Sequence, residues 1–291
     1  MQLRVENVSY AYMPGGPFEA KALQGTSVSF ASGAFHACVG HTGSGKSTLL
    51  QLLNGLLRPQ EGTVYVGDWT ITPETKQKHI AGLRRKAGVV FQFPEAQLFD
   101  ETVIDDVMYG PKNLGFTDDE ARRLAEEALA RTGISAELFT RSPFDLSGGQ
   151  MRRAAIAGVL AMEPELLLLD EPTAGLDPAG RESMMELFRS WQEEKPERTV
   201  VMISHDMNAV ARYADTVTVM ESGKAIAQKA PHELFTDAEL LERHQLEMPD
   251  TVRLLYRLRE ASGAKVDISA FDETETFSRI LTLLKGGVRD A

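Results

Sequence analysis

Five short and almost continuously apolar runs recur along the chain. They read AFHACVG, AGVVFQ, ELLLLDE, RTVVMISHD and TVTVM, and helical patterns separate most of them. Strands that are buried on both faces of a parallel sheet have this pattern, because neither face needs polar side chains. The sequence therefore predicts an α/β protein with a mostly parallel central sheet.

Two further segments flank or interrupt these runs. Residues 1 to about 35 alternate between apolar and polar positions around a Pro/Gly loop, which predicts a small N-terminal antiparallel β-subdomain. Residues from about 94 to 161 are mostly helical in pattern and lie between two predicted core strands. We expect them to form an inserted α-helical subdomain, so that residues 1–245 make up one domain.

The last segment, residues 246–291, has the pattern of two amphipathic helices. The apolar positions of the second recur with helical spacing at Phe277, Ile280, Leu281 and Leu284. The pair Gly286-Gly287 predicts its C-terminal end. Because this segment is too short to bury a core of its own, we expect a short helical C-terminal extension that packs on the main domain or at a dimer interface.

Composition and charge narrow the range of partners. The 291 residues are 43% hydrophobic and 25% charged, which is typical of a globular protein. A net charge of -11 argues against a nucleic-acid partner or an anionic membrane surface, since both are usually met by basic patches. The single cysteine, Cys38, fits a reducing compartment.

The sequence shows neither a signal-peptide pattern nor a membrane-spanning pattern. The N-terminus MQLRVENVSY has charges where a signal peptide needs an apolar core, and the longest purely aliphatic run is Leu166–Leu169. We therefore expect a cytosolic chain with no direct membrane insertion, whose membrane role, if it has one, comes through a partner.

A phosphate-binding loop follows the first apolar run. Gly40 to Ser47 read GHTGSGKS and match G-x-x-x-x-G-K-[ST] between a predicted strand and a predicted helix. The backbone N–H groups of such a loop surround the β-phosphate. Lys46 is expected to bridge the β- and γ-phosphates, and the Ser47 hydroxyl is expected to ligate Mg²⁺. The motif and its context predict nucleotide binding.

Polar residues at the ends of three other runs supply candidate catalytic groups. Asp170 ends the run ELLLLDE and can serve Mg²⁺, while the adjacent Glu171 can act as general base. His205 follows RTVVMIS and can orient the attacking water, and the amide of Gln92 can reach Mg²⁺ or that water. Solvated strand ends are the alternative interpretation of each residue taken alone.

A second glycine-rich turn, LSGGQMRRAAIAG, begins at Leu146 and also precedes a helix. The N-terminus of that helix could bind a second anion. One nucleotide does not obviously need two such sites in the same chain. No function is assigned to Arg152 and Arg153 in this stretch, for which ordinary pairing on the helix surface is expected.

The order of these motifs resembles that of the ATP-binding cassette (ABC) ATPases. The phosphate loop is followed by Gln92, LSGGQ, LLLLDEP, AGLD at 174–177 and SHD with His205. The resemblance implies a P-loop NTPase fold, with residues 1–245 as the nucleotide-binding domain. It also implies an aromatic ring that stacks on adenine, either Tyr12 or, as the alternative, Tyr10.

The resemblance extends to the roles of individual residues. It implies the catalytic residues Glu171, His205 and Gln92, and Mg²⁺ held by Ser47, Gln92 and Asp170. The ATP-binding residues that it implies are Tyr12, Gly40, His41, Thr42, Gly43, Ser44, Gly45, Lys46, Ser47 and Thr48. ABC ATPases work as head-to-tail pairs, so the residues expected to contact the nucleotide of the other subunit are Ser147, Gly148, Gly149, Gln150 and Asp177.

Longer stretches, such as VVFQFPEAQLFDETV and SPFDLSGGQMRRAAIAGVLAMEPELLLLDEPTAGLDP, are similar to the ATPases of energy-coupling factor (ECF) transporters, in particular the second, A-prime type. This resemblance implies a second ATPase subunit, a transmembrane T subunit, a substrate-binding S subunit and a peripheral location at the cytoplasmic face of the membrane. It also implies a groove for a basic coupling helix of the T subunit, whose expected residues are Phe93, Glu95, Gln97, Leu98, Phe99, Asp100 and Glu101.

Other functions within the superfamily remain alternatives. An ATPase of another importer, such as a cobalt or nickel type, would share the same motifs. ABC ATPases of DNA maintenance carry long coiled coils or zinc-binding inserts, and translation factors usually carry two cassettes, and this sequence shows none of these features. The transported substrate and the choice between homodimer and heterodimer are not encoded in these motifs.

Overall fold

The computed structural model describes residues 1–263 and 265–287, apart from the side chains of 285–287. Its strands are, in chain order, β1 (Leu3–Tyr12), β2 (Ala20–Phe30), β3 (Phe35–Val39), β4 (Glu61–Val66), β5 (Trp69–Ile71), β6 (Ala87–Val90), β7 (Leu166–Asp170), β8 (Thr199–Ile203), β9 (Thr216–Glu221) and β10 (Lys224–Lys229). Strands β2-β1-β4-β5 form an antiparallel sheet, and β10-β9-β3-β8-β7-β6 form the second sheet.

The helices are α1 (Lys46–Leu53), α2 (Gln77–Lys86), α3 (Val103–Leu114), α4 (Asp118–Arg131), α5 (Gly148–Leu160), α6 (Pro178–Glu193), α7 (Met207–Tyr213), α8 (Pro231–Phe235), α9 (Ala238–Arg243), α10 (Asp250–Ser262) and α11 (Glu273–Gly287). Short 3₁₀ helices span Pro94–Gln97, Ala136–Leu138 and Pro143–Asp145. In the part of the chain described here, no helix combines the length and hydropathy needed to cross a bilayer.

The predicted α/β fold is confirmed. The five apolar runs are β3, β6, β7, β8 and β9, which pair in parallel, and β10 pairs antiparallel with β9 at one edge. Both faces of this sheet are buried, because Leu167 and Leu169 of β7 face one hydrophobic cluster while Leu166 and Leu168 face another. One cluster lies toward the helical subdomain, and the other lies between the two sheets.

The carboxyl ends of the parallel strands determine where the candidate site forms. In the register of the sheet, Cys38 pairs with Ile203 and Asp170 pairs with the same residue from the other side. The loops after β3, β7 and β8 therefore leave the sheet at one edge. This edge is where ligands bind in open α/β sheets.

The helical subdomain lies between β6 and β7, as predicted. Helices α4 and α5 both begin with a capping box, formed by Thr117 with Glu120 and by Ser147 with Gln150. In each box the hydroxyl accepts from a backbone N–H three residues on, which fixes where the helix begins. Helix α5 therefore starts at Gly148.

Helix α11 of the C-terminal extension packs on the core with a different face from the one that the spacing of its apolar residues predicts. Of the four predicted apolar positions, Ile280 packs against the core, whereas Phe277 and Leu284 are 61% and 63% exposed. Thr276, one helical turn before Ile280, is buried. The packed face of the helix is thus rotated away from the centre of its apolar stripe.

Candidate active site

The phosphate loop connects β3 to α1 and is held on both sides by backbone. Gly40 and Gly45 have φ values of 138° and 99°, which favour glycine. A Cβ atom at Gly40 would lie 2.0 Å from the carbonyl oxygen of Met220, and one at Gly45 would lie 2.3 Å from that of Ala22. Both positions therefore exclude any side chain, which explains the two glycines of the motif.

Lys46 lies inside this loop and is almost fully buried. Its Nζ donates to the carbonyl oxygens of Gly40 and His41 at 2.7 and 2.8 Å and to Ser44 Oγ at 3.4 Å. Burial lowers the pKa of Lys46, and the nearby carboxylate of Glu171 opposes that shift. The loop thus holds a cation close to the carboxylates at the end of β7.

Asp170 and Ser47 form the oxygen-rich part of the site. The Ser47 hydroxyl donates to Asp170 Oδ1 at 3.4 Å. Burial raises the pKa of Asp170, while the hydrogen bond from Ser47 and the charge of Lys46 oppose the increase. A hydroxyl and a carboxylate side by side are the ligand types that Mg²⁺ takes together with substrate phosphates and water, so these residues fit the ion predicted from the sequence.

Glu171 follows β7 with a φ of 49°. Its Oε2 accepts from the backbone N–H of His205 at 3.3 Å, and His205 Nε2 lies 3.4 Å from its Oε1. Oε1 is buried and has no hydrogen-bond partner within the described residues. Burial raises the pKa of Glu171 to about 7. A strained backbone and an unsatisfied carboxylate oxygen are typical of a functional group rather than of a solvated strand end.

The raised pKa of Glu171 predicts how stability depends on pH. The folded state holds the proton up to about pH 7, whereas the unfolded chain releases it near the ordinary value of 4.5. The contribution of Glu171 to the free energy of unfolding is therefore fully present below pH 4.5 and is lost as the pH rises to about 7. Because glutamine does not titrate, we expect the free energy of unfolding of Glu171→Gln to rise by about 3 kcal/mol relative to that of wild type between these two pH values. Urea unfolding of both proteins without nucleotide measures the difference, and a difference that stays constant with pH would contradict the assignment.

His205 and Gln92 follow the strands on either side of β7, whose carboxyl end carries Asp170 and Glu171. Burial and the charge of Lys46 lower the pKa of His205, so its ring is neutral at pH 7. Gln92 is exposed just after β6, the strand next to β7. Both predicted catalytic residues thus follow strands that flank the strand of Asp170.

Tyr12 ends β1 and contacts the helix of the phosphate loop. Its hydroxyl shares a hydrogen bond of 3.2 Å with Thr48 Oγ1, and its ring packs edge-on against Tyr10 at 5.1 Å. The Tyr12 ring is partly exposed. It therefore lies at the loop with a free face, whereas Tyr10 is more buried.

We expect Tyr12→Ala to weaken ATP binding about 5- to 150-fold, because stacking of a base on an aromatic ring contributes about 1–3 kcal/mol. Tyr12→Phe keeps the ring and removes only the hydroxyl contact with Thr48, so it is the matched control and should bind almost as wild type. Titration with a fluorescent ATP analogue measures both. A larger loss in Tyr10→Ala would assign the stacking role to Tyr10 instead.

Leu146 of LSGGQ is buried in the core, whereas the residues at the starts of two other helices lie on the surface: Ser147, Gly148, Gly149, Gln150 and Asp177. Gln150 Oε1 accepts from Ser147 N at 3.0 Å, and Asp177 Oδ1 accepts from Gly180 N at 2.7 Å at the start of α6. A Cβ at Gly148 or Gly149 would meet no atom within 4 Å. These residues form an open surface of the kind that the predicted contact with another subunit requires.

The predicted coupling groove is only partly an exposed surface. Phe93 and Phe99 are exposed, as are Gln97 and Glu101, but Leu98 is only 6% exposed and belongs to the hydrophobic core. The expectation that Leu98 faces the groove is therefore wrong. Two adjacent apolar residues in an extended segment point to opposite sides, so that Leu98 faces inward while Phe99 packs edge-on against Tyr109.

Arg152 is not a helix-surface residue, contrary to the sequence prediction. Its side chain is buried, and its guanidinium forms two hydrogen bonds of 3.0 Å with Glu95. Arg153 reaches Thr132 O at 2.9 Å and Ser183 Oγ at 3.2 Å. The position of Arg152 four residues before the buried Ile156 was the sequence signal for its inward orientation.

The C-terminal extension also borders the site. His41 Nε2 donates at 2.9 Å to the carbonyl oxygen of His244, two residues before the extension begins. A cavity of about 430 Å³ is lined both by Glu171 and His205 and by Glu247 and Arg253 of the extension. Sequence reasoning missed these contacts, because no motif links the extension to the phosphate loop.

Comparison with known proteins agrees with this geometry. Residues 23–174 match the ABC transporter family. The chain is 50% identical to the energy-coupling factor transporter ATP-binding protein EcfA2 of Lactobacillus delbrueckii subsp. bulgaricus, with 99% of both chains covered. It is 47% identical to the protein of that name from Ligilactobacillus salivarius, with both chains covered completely.

Solved structures agree as well. The structure of cbiO1 from Clostridium perfringens, part of the ABC transporter complex cbiONQ, is similar with a TM-score of 0.73 and 38% identity, covering 90% of this chain and 98% of that one. The dimeric ATP-binding cassette MJ0796 with ADP and Pi has a TM-score of 0.71 and 29% identity, covering 79% and 98%. At these identities, the chain belongs to the ABC transporter family and, within it, to the ATP-binding proteins of energy-coupling factor transporters.

Proposed function

We propose that this ATP-hydrolysing subunit of an ECF-type importer binds ATP between its own phosphate loop and the LSGGQ segment of a second ATPase subunit. The observation that carries the proposal is the convergence of Lys46, Ser47, Asp170, Glu171 and His205 at one edge of the sheet. A cation, an oxygen-rich pair and an unsatisfied carboxylate are what phosphoryl transfer to water requires.

Each of these groups has a separate task. Lys46 binds the β- and γ-phosphates. Ser47, Asp170 and Gln92 hold Mg²⁺, which neutralises phosphate charge when it is bound. The phosphate loop as a whole fixes the nucleotide, while Tyr12 stacks on its adenine.

Glu171 is the general base. Attack of water on the γ-phosphorus forms a P–O bond and breaks the bond to the bridging oxygen, which leaves with ADP. The water proton passes to Glu171, whose pKa of about 7 suits proton transfer at neutral pH. The neutral ring of His205 keeps the carboxylate and the water aligned. The hydrogen bond from the backbone N–H of His205 to Glu171 supports this arrangement.

The second anion-binding turn acts on the nucleotide of the other subunit. The capping box of α5 uses the side chains of Ser147 and Gln150, and the helix start is exposed. A helix N-terminus with free N–H groups favours a γ-phosphate. Asp177 lies at the same interface, next to the phosphate loop of the partner. We expect a heterodimer of two related ATPases.

The segment from Phe93 to Glu101 receives a coupling helix of a transmembrane T subunit. Its exposed aromatic rings, Phe93 and Phe99, lie among acidic side chains that attract basic residues. Closure of the ATPase pair on ATP moves the helical subdomains, and the T subunit transmits that motion to an S subunit that carries a vitamin or another micronutrient. The chain then works at the cytoplasmic face of the membrane as a peripheral subunit, with residues 246–291 as a packing element of the dimer.

Affinity purification from detergent-solubilised membranes tests the assembly. We expect a second ATPase and a transmembrane subunit to co-purify with the tagged chain. Ser147→Arg, which places a bulky cation at the exposed start of α5, should leave ATP binding to the isolated chain unchanged and abolish hydrolysis at the ATP site of the partner that this segment completes. Recovery with ribosomes or DNA, or full hydrolysis by the Ser147→Arg complex, would contradict the proposal.

A further inference from the structure

Arg152 joins three segments of the candidate site that are distant in sequence. Besides its two hydrogen bonds with Glu95, its Nη1 donates to the carbonyl oxygen of Ala174 at 2.5 Å. Glu95 lies three residues after Gln92, and Ala174 begins the loop that ends at Asp177. One side chain therefore connects the loop of Gln92, the helix that follows LSGGQ and the loop that follows Glu171.

The contact between Arg152 and Glu95 is an ion pair of low exposure. The Arg152 side chain is 5% exposed and that of Glu95 is 24% exposed. Burial acts to raise the pKa of Glu95, but the hydrogen bond from Arg152, a hydrogen bond from the backbone N–H of Glu95 and the charge of Arg152 together lower that pKa. The Glu95 carboxyl group is thus ionised at neutral pH. Two parallel bonds between a guanidinium and a carboxylate fix distance and orientation together, which a single point contact cannot do.

Phe93 adds a second constraint to the same loop. Its φ of 59° is one that residues other than glycine rarely adopt. Its ring lies 5.9 Å from the Cζ atom of Arg152, and it separates Gln92 from the 3₁₀ helix Pro94–Gln97. A displacement of this helix must either carry α5 with it or break the two bonds to Arg152.

We infer that Arg152 is a positioning residue that makes the Gln92 loop, the LSGGQ helix and the Ala174–Asp177 loop move as one unit during ATP hydrolysis. The inference rests on the proposed function, in which Gln92 serves the nucleotide of this chain while LSGGQ and Asp177 serve that of the other subunit. Arg152 then links the two ATP sites mechanically, and its effect passes through Glu95 and Ala174 rather than through contact with ATP.

The test compares two buried arginines. Arg152→Lys keeps the charge and removes the two-pronged contact with Glu95. Arg198 is the matched control, since its side chain is also 5% exposed, and it donates to Glu194 at 2.8 Å and to the carbonyl oxygen of Trp191 at 2.7 Å. These partners belong to α6 and its C-terminal cap, so Arg198→Lys perturbs a buried arginine without touching the three loops.

We expect Arg152→Lys to lower kcat for ATP hydrolysis by the purified complex roughly 2- to 30-fold, with an unchanged KM for ATP. Arg198→Lys should keep the wild-type kcat even if it lowers the Tm as much as Arg152→Lys does. Equal kcat values for the two variants would overturn the inference. A wild-type complex that does not hydrolyse ATP would contradict the proposed function. A wild-type complex that hydrolyses ATP, with equal kcat values for the two variants, would contradict this inference alone.

A double-mutant cycle with Glu95→Gln separates this role from direct contact between Glu95 and the T subunit. If Arg152 and Glu95 act through one contact, the double variant should be no slower than the slower single variant. Effects on kcat that multiply would show independent roles and overturn the inference. Should Arg152→Lys unfold at the assay temperature, Glu95→Asp replaces it, because a shorter carboxylate arm breaks the same contact. A wild-type kcat in that variant would also overturn the inference.

Discussion

Glu171→Gln is expected to lower the turnover of ATP at this chain's own site by about 10²- to 10⁴-fold while ATP still binds, because the amide cannot accept the proton of the attacking water. The substitution keeps the size of the side chain and the acceptor for the backbone N–H of His205. The measurement is steady-state phosphate release with the partner ATPase present, together with a separate titration of ATP binding.

Glu165→Gln is the matched control for this experiment. Glu165 lies just before β7, at its opposite end, and pairs on the surface with Lys86. The same chemical change there should leave turnover at the wild-type level. Hydrolysis close to wild type in Glu171→Gln would remove Glu171 from the mechanism and leave the role of its raised pKa without an explanation.

Lys46→Ala is expected to act on binding rather than on turnover. A hydrogen bond to a charged group contributes about 1.5–3 kcal/mol, so the Kd for ATP should rise about 10- to 150-fold. Calorimetric titration measures the change. The contacts of Lys46 with Gly40 and His41 are lost as well, so the Tm of the variant must be recorded in parallel.

Lys86→Ala serves as the control for Lys46→Ala. It removes a lysine that is half-exposed and pairs with Glu165 away from the carboxylate edge. Its Kd for ATP should equal that of wild type. An unchanged Kd in Lys46→Ala would mean that the cation at this position does not hold phosphate, and the assignment of the loop would have to be revised.

Local patterns were sufficient to predict the strands of the central sheet, the phosphate loop and the polar groups at the strand ends, whereas Tyr12, the residues expected to contact the other subunit and the coupling groove came from the family resemblance. A strand buried on both faces is recognisable from its own residues, as in Leu166–Leu169. The order of the strands then brings their ends together, so Asp170 and His205 were predicted to be neighbours of the phosphate loop. Strand order itself follows from motif order only through the family resemblance.

Three features could not be predicted, and each depends on packing between distant segments. Arg152 and Glu95 are 57 residues apart, and nothing local to either residue identifies the other. The choice between Leu98 and Phe99 for the core depends on how the 3₁₀ helix before them is oriented. The rotation of α11 depends on the path of the chain that leads into it from α10.

The phosphate loop also has a structural position beyond nucleotide binding. Gly45 abuts Ala22 of β2 in the antiparallel sheet, and Gly40 abuts Met220 of β9 in the parallel sheet. The N–H of Gly223, just after β9, donates to the carbonyl oxygen of Ser44 at 3.1 Å. Local opening of this loop would therefore break contacts with both sheets at once. We therefore expect this loop to open locally at a higher free-energy cost than ligand-binding loops with few contacts, which hydrogen exchange of its backbone N–H groups would measure.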